Sequence, residues 1–409
     1  MYVSLYWATA IHNFGGPDQM QQTDPKEFYQ YDPDKRALAE RYENVKLILE
    51  PITGTIVPVA FSLLLLFSGT SVWLVHYLAS TTDSYWVTLG VYLVIFVSLL
   101  QLVEAPISFY SGFVVDHRFH LSTQNLKGWA VDELKSLGIE VAFGVLAVTI
   151  LYYLIRSVSL WWLAAAVLFA IFSILLSIIL PYVLMPIFYK VTPLTDSSLK
   201  DTLLEMSRKV GAKSVDRVIV ADESRKSVRA NAFFSGIGKS KAIVLFDTLL
   251  SNFTRREVIT VVAHELGHYV NKDIWKEAIL SGFLTVPPFF IADYVLRLGA
   301  GNLGLTGAAD PAGVPVIFAI LIGVSFVLQP ISNGISRTME SKADEFALRA
   351  ADDSEAQSSA ERRLADLSLA VDRPNRLVEL FFYSHPSPSK RVQLADGWRK
   401  EHTSGKNVG

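Results

Sequence analysis

His264 and His268 lie four residues apart, with Glu265 between them, in the run Val261-Val262-Ala263-His264-Glu265-Leu266-Gly267-His268-Tyr269. On an α-helix residues at this spacing stack on one face, so both imidazoles can address a single ion. Glu265 lies about 100° round the helix, close enough to reach a water on that ion without ligating it. Two neutral imidazoles and a carboxylate base are what metal-assisted peptide hydrolysis needs: one Zn²⁺ acidifies water, and Glu265 accepts its proton. With only 8 histidines in 409 residues, chance is a poor explanation of the spacing.

Two histidines leave zinc one protein ligand short. A third histidine six residues after His268 would complete one known class, but Ile274 occupies that position. In the run Ser336 to Ala347, Glu340 and Asp344 share a helical face beside Arg337. Glu340 as third ligand, with Asp344 accepting a hydrogen bond from a ligating histidine, would give a His₂Glu site with one open position. Alone, that run also reads as a solvated charged helix. It directly follows an apolar segment that would return it to the side of the histidines, which favours the site reading.

The helix that must carry the histidines has its own signals. Thr254 and Glu257 are spaced as a capping box, Val258, Val261 and Val262 supply an apolar side, and no proline interrupts Thr254 to Asp273. Around it the chain is unusually apolar, 51% hydrophobic and 19% charged with mean hydropathy +0.33, against about 25% charged in ordinary soluble proteins. Candidate membrane spans cover about 53–79, 86–113, 139–156 and 159–188, then about 277–298 and 313–335. The expected organisation is an N-terminal arm over 1–50, four spans within 51–189, and a zinc peptidase domain over 190–409 interrupted by the last two spans. The opening Met1 to Ile11 is too short to span and lacks a signal peptide's basic start and cleavage site. The arm is expected to lie on the membrane or on the catalytic part.

A formal net charge of −2 gives no bulk basic field, so nucleic acid is not an expected partner. The absence of cysteine excludes disulfides, thiolate ligands and cysteine nucleophiles, leaving His and carboxylate to hold the metal. Arg118, Lys127 and Lys135 mark the 114–138 connection, and basic residues crowd the segments after 189 and 335. The positive-inside rule then puts the catalytic segments and both termini in the cytoplasm. Glu104, His76 and Asp293 fall within or beside apolar runs, where a buried structural role competes with a functional one.

The chain resembles the integral-membrane zinc metalloproteases of the CAAX prenyl protease type 1 group, relatives of the bacterial heat-shock membrane metalloprotease. Ser336 to Ala347 resembles that group's SRxxExxADxxA signature, and Asn231 to Gly236 with Lys241 to Leu250 its substrate-strand region. Phe109-Tyr110 through Asp116-His117, Pro186 through Pro193, and Tyr383-Ser384-His385-Pro386 with Arg391 are further points of likeness. The resemblance implies a mostly α fold: a multi-span transmembrane helical bundle with a cytoplasmic-facing α+β zincin-like metalloprotease domain. It implies His264, His268 and Glu340 as zinc ligands, Asp344 behind them, and Glu265 and His385 as catalytic groups. Asn231, Ala232, Phe233 and Arg391 would meet the substrate, a membrane-associated or lipidated protein or peptide. It also implies a water-filled chamber among the spans. One departure is the lack of a 20-residue apolar run in residues 1–50, so six spans are counted where eukaryotic members have seven.

The implied activity is zinc-dependent endopeptidase cleavage of membrane-associated or C-terminally prenylated proteins, in a bacterial plasma membrane or the eukaryotic endoplasmic reticulum. General quality control of membrane proteins is an alternative, as is a non-enzymatic transporter or scaffold with a structural zinc. A site-2-type intramembrane protease is disfavoured because Arg255, Arg256, Asn271, Lys272 and Asp273 flank the motif, which marks a helix outside the hydrocarbon.

Overall fold

The structure is a computed structural model that describes residues 28–237 and 240–404. The expectations for Met1 to Ile11 lie outside the described residues. Among the described residues, five helices are long and apolar enough to cross a membrane: α1 (Pro33–Phe67), α3 (Tyr85–Arg118), α4 (Leu126–Ser157), α9 (Asp273–Gly299) and α10 (Pro311–Ala351). Between them lie α2 (Thr70–Ala79) and the apolar α5 (Trp161–Phe188). Leu64, Phe67, Leu102, Phe283 and Val327 are large, apolar and exposed, as a surface solvated by lipid tails demands.

The span expected at 53–79 is not one helix. Gly69 adopts φ +73°, a left-handed conformation open to glycine, and it divides α1 from α2. The apolar part of α1 instead continues N-terminally into the polar helix from Pro33. Hydropathy could not register that continuation, because a helix leaving the bilayer keeps its geometry while its composition turns polar. Likewise α4 begins thirteen residues before the expected 139, and α10 runs from Pro311 through the expected 313–335 span to Ala351. At 1.5 Å per residue the 41 residues of α10 extend about 60 Å, twice the hydrocarbon thickness, so its second half projects from the bilayer.

The membrane core gathers Leu89, Tyr92, Phe96, Tyr152, Trp161 and Leu296. A Cβ built on Gly282 of α9 would lie 2.8 Å from the Ala170 Cβ of α5, so small residues let these two helices pack closely. Asp293 accepts from Trp161 Nε1 at 2.5 Å and from Arg297 Nε at 2.6 Å, a structural use of an ionisable group in an apolar helix.

Beyond the bilayer a four-stranded sheet runs β1 (Val191–Pro193), β2 (Val215–Ala221), β4 (Ser240–Phe246), β3 (Ala232–Ile237) in spatial order. β2 and β4 are parallel; β1 and β3 pair antiparallel at the two edges. Helices α6 (Ser197–Lys209), α7 (Asp247–Asn252), α8 (Arg255–Asn271), α11 (Ser354–Ser368), α12 (Arg376–Phe382) and α13 (Pro388–Ser404) complete this part. Its core joins Leu203, Val218, Ile243 and Leu245 to Val258, Val262 and Leu266 of α8. The described end of the N-terminal arm lies on this domain: Tyr29 Oη donates to Asp366 at 2.8 Å, Tyr31 Oη to Asp372 at 2.7 Å, and Arg36 pairs with Asp366.

Candidate metal centre and peptidase site

The expected capping box forms. Thr254 N donates to Glu257 Oε2 at 2.7 Å, and the Glu257 amide donates back to Thr254 Oγ1 at 3.3 Å, so two orphan donors of the first turn of α8 are satisfied. Val258, Val262, Ala263 and Leu266 anchor one face of α8 in the sheet-side core, and His264 and His268 leave from the other. Lys272, at φ +58°, ends α8, and α9 starts at the very next residue. Thus the motif helix turns directly into a membrane helix.

Glu340 arrives on the projecting half of α10. A Cβ on Gly267 would stand 2.9 Å from the Ala343 Cα, so only glycine lets α8 and α10 approach this closely. The approach brings Glu340 Oε2 to 3.2 Å from His264 Nε2 and Oε1 to 3.4 Å from His268 Nε2, with the two imidazole Nε2 atoms 3.1 Å apart. Ligands held about 2.0–2.1 Å from a tetrahedral ion stand roughly 3.3 Å from each other, which is the spacing seen here.

The surrounding groups fix what these atoms offer. His264 Nδ1 lies 2.8 Å from Asp344 Oδ1, and His268 Nδ1 lies 2.9 Å from Asp273 Oδ2, so each Nδ1 donates its proton to a carboxylate. In the neutral rings Nε2 is then a bare lone pair, and both lone pairs point toward the Glu340 carboxylate. Glu340 Oε2 is buried and lacks a hydrogen bond. Three electron-rich groups converging without a donor suit a divalent cation, so the residues fit the metal. The field around His264 attracts positive charge: burial favours the neutral ring, but Asp344 and Glu340 outweigh it and push the imidazole up to about 10, so a proton holds Nε2 until a cation displaces it. Burial also opposes charge on Glu340, yet His264 and His268 hold it well below the usual carboxylate range.

Beside the three ligands a cavity of about 120 Å³ is lined by Asn231, Glu265, Glu361, His385 and Arg391 among others. Burial pushes the Glu265 carboxyl up, partly countered by His264 and His268, which suits a group that must accept a proton near neutrality. His385 Nε2 stands 3.2 Å from Glu340 Oε1, and its Nδ1 faces Ser384 Oγ at 2.9 Å. β3 is an edge strand. The Phe246 amide donates to the Asn231 carbonyl, so residues 231, 233 and 235 face β4, while the Phe234 backbone and the Ala232 carbonyl point to the open edge and the Ala232 amide donates to Asn231 Oδ1 at 2.8 Å.

Arg391, for which the resemblance implies a substrate contact, lines the cavity and also supports the site from behind. Its Nε and Nη2 grip Asp344 at 2.8 and 2.5 Å, and Nη1 meets Glu361 Oε2 at 2.8 Å. Sequence reasoning missed Asp273, the partner of His268, although a carboxylate opening the next helix was a signal. It missed Glu361, which carries no local motif. It also missed the task of Arg337, whose Nη1 donates to the carbonyls of Glu379 and Tyr383 and so ties the His385 loop to α10.

Comparison with known proteins adds to this geometry. Residues 193–399 match the family described as peptidase family M48, and residues 18–190 match the CAAX prenyl protease N-terminal family, five membrane helices. Between Pro33 and Phe188 the structure has five helices, α1 to α5, of which α1, α3 and α4 are long and apolar enough to cross a membrane, α5 is apolar, and α2 has only ten residues. The chain is 32% identical over 384 residues to the uncharacterized metalloprotease YhfN of Bacillus subtilis, covering 92% of this chain and 88% of that one. It is 30% identical to CAAX prenyl protease 1 of Saccharomyces cerevisiae, covering 73% and 70%. The crystal structure of S. mikatae Ste24p superposes with TM-score 0.76 at 26% identity over 89% of each chain.

Proposed function

The chain belongs to peptidase family M48 and is a multi-pass membrane metalloendopeptidase, and from that premise we propose that His264, His268 and Glu340 hold a zinc ion at which Glu265 drives hydrolysis of membrane-associated proteins. The observation that carries this reading is the convergence of two Nδ1-anchored imidazoles and a buried carboxylate beside the Glu265 cavity. When bound, zinc supplies a Lewis acid that brings the pKa of water towards ~7.

The protein's own groups do the remainder. An extended peptide pairs with the open edge of β3 through the Ala232 carbonyl and the Phe234 backbone, with Asn231 and Phe233 beside it, which brings a scissile carbonyl over the cavity. Glu265 removes a proton from the attacking water and returns it to the leaving amine. His385 donates from Nε2 to the oxygen that gains charge on the carbonyl. Asp344 and Asp273 keep both ligating rings in the Nδ1–H tautomer, and Arg391 holds Asp344 in place. The basic connections named above support a cytoplasmic position for this side of the molecule.

The substrates are membrane-associated proteins, and C-terminally prenylated chains are the narrower class. Several relatives carry the name CAAX prenyl protease 1, which supports the narrower class. Mass spectrometry of products from the purified full chain, offered a farnesylated CAAX peptide and its unmodified twin, tests both statements. Preferential release of the last three residues from the farnesylated peptide is expected, with Glu265→Ala inactive but still binding one zinc. Equal internal cleavage of both peptides would replace prenyl processing with general endoproteolysis, and an active Glu265→Ala would end the assignment of the base.

A further inference from the structure

On the far side of the His385 segment, α12 packs against the membrane half of α10. Phe381 lies 6.4 Å from Phe326, and Asn333 Nδ2 donates to the Phe381 carbonyl at 2.7 Å. Along α10 Val327, Ile331 and Ile335 recur every fourth residue and are exposed, which makes that face a lipid-facing stripe. Leu377 and Leu380 of α12 are exposed too and continue the stripe outward. A seven-residue helix that shows leucines outward beside such a stripe lies where hydrocarbon gives way to headgroups.

At that level α12 and the start of α13 enclose a groove of about 520 Å³. Four cationic side chains, Arg337, Arg373, Arg376 and Lys390, line it against one carboxylate, Glu379. Glu379 is already committed to Lys390, at 2.7 and 2.8 Å. Arg337 spends Nη1 on backbone carbonyls, and among the described residues Arg373 reaches only Ser389 Oγ at 3.3 Å and Asp372 at 3.6 Å. Asp372 is shared with Tyr31. Arg376 has no ion pair among the described residues and is exposed. Positive charge therefore exceeds negative in the groove, beside an apolar surface made for lipid.

We propose that this groove binds the headgroup phosphate of an anionic phospholipid, with Arg373 and Arg376 as its chief contacts and Leu377 and Leu380 against the acyl chains. Cationic charge beside an anionic surface supplies most of the attraction, and the forked guanidinium N–H groups add a match to phosphate oxygens in pairs. The leaflet also agrees, since the proposed cytoplasmic side carries the anionic lipids. The groove floor belongs to the segment that carries His385, so an occupied groove braces the loop on which that side chain sits.

The test uses the full chain in a neutral detergent, with thermal unfolding followed as dioleoylphosphatidylglycerol is added. A saturable rise in apparent Tm is expected with this lipid and none with dioleoylphosphatidylcholine. Arg373→Gln with Arg376→Gln should raise the half-saturating lipid concentration about 30-fold, from the usual worth of two cations near an anionic surface. Arg208→Gln, on exposed α6, should leave it unchanged, and the pair Arg373→Lys with Arg376→Lys, which keeps the charge, should stay within a few-fold of wild type. An unchanged response in the glutamine pair, an equal response to phosphatidylcholine, or loss of response in the lysine pair would each overturn the proposal. A rise reproduced by inorganic phosphate alone would make this a free-anion site and overturn the lipid assignment.

Discussion

Asp273→Ala isolates the contribution of the carboxylate behind His268. Asp273 is nearly buried, receives the His268 Nδ1 proton at 2.9 Å, and also takes Lys276 Nζ at 2.8 Å. Without it the imidazole loses the acceptor that fixes its tautomer and ring plane, and Nε2 is a lone pair facing the ion only part of the time. Removing such a partner usually weakens metal binding 10- to 100-fold, which is ~1.4–2.8 kcal/mol. The effect should be confined to the metal, because Lys276 is half exposed and can turn to water. Asp344→Ala makes the contrast. It removes the corresponding support of His264 but also strips the buried Arg391 guanidinium of two charge-assisted bonds, and breaking one side of a buried pair costs ~3–5 kcal/mol. Zinc affinity is read by competition with a chromophoric chelator, and stability by thermal unfolding in excess chelator. Asp273→Ala should lose affinity while its chelated form unfolds near the wild-type temperature, and Asp344→Ala should lose both. An Asp273→Ala protein that binds zinc within twofold of wild type would refute the argued role of this contact.

Arg229 donates to Asp116 and Tyr42, each at 2.9 Å, two residues before Asn231, so it sets where β3 begins. Arg229→Met should raise KM several-fold more than it lowers kcat, with partial recovery in Arg229→Lys, and an equal fall in both would count against a role in peptide alignment. Burial pushes Glu223 up to about 7, so folding binds a proton that the unfolded chain, near 4.5, has released. The stabilised form is the protonated one: stability falls as pH rises from about 4.5 to 7, by at most about 3 kcal/mol, and stays low above that. Glu223→Gln should flatten this slope and raise the apparent Tm at pH 8 but not at pH 4.5, whereas an unaltered slope would show that other groups set it.

The candidate metal-binding histidines and the carboxylate beside them were legible because helical periodicity is local: His264, Glu265 and His268 declare their geometry within five residues. Glu340 and Asp344 were legible through the same arithmetic on a second helix, but the meeting of the two helices was not. It depends on Gly267 lying against the Ala343 backbone, and nothing in the residues around either position foretells that contact. Asp273 was hidden for a related reason. Its contact with His268 crosses a helix break at a left-handed lysine, so no helical spacing rule reaches it. Glu361 and Arg391 meet across two helices of the C-terminal region, and pairings of that range leave no periodic trace. The first span was misjudged because hydropathy averages over Gly69, whose backbone conformation, not its polarity, ends the helix.

The proposed metal centre is assembled from helices that also cross the bilayer or adjoin ones that do. α10 passes from lipid to Glu340 without interruption, and α9 starts at Asp273, the residue that orients His268. α8, between them, is fixed to the sheet by Val258, Val262 and Leu266 and touches α10 where Gly267 permits. A tilt of α10 in the membrane must therefore move Glu340 against the two histidines, and a shift of α9 must move the acceptor of His268. An ion bound as proposed would resist the first movement by tying three groups from α8 and α10 to one point. It follows that chelation should loosen the membrane half of α10 as well as the site, which amide exchange along 314–335 with and without chelator can read. Protection lost only around 255–271 would mean that the site and the bundle are mechanically separate.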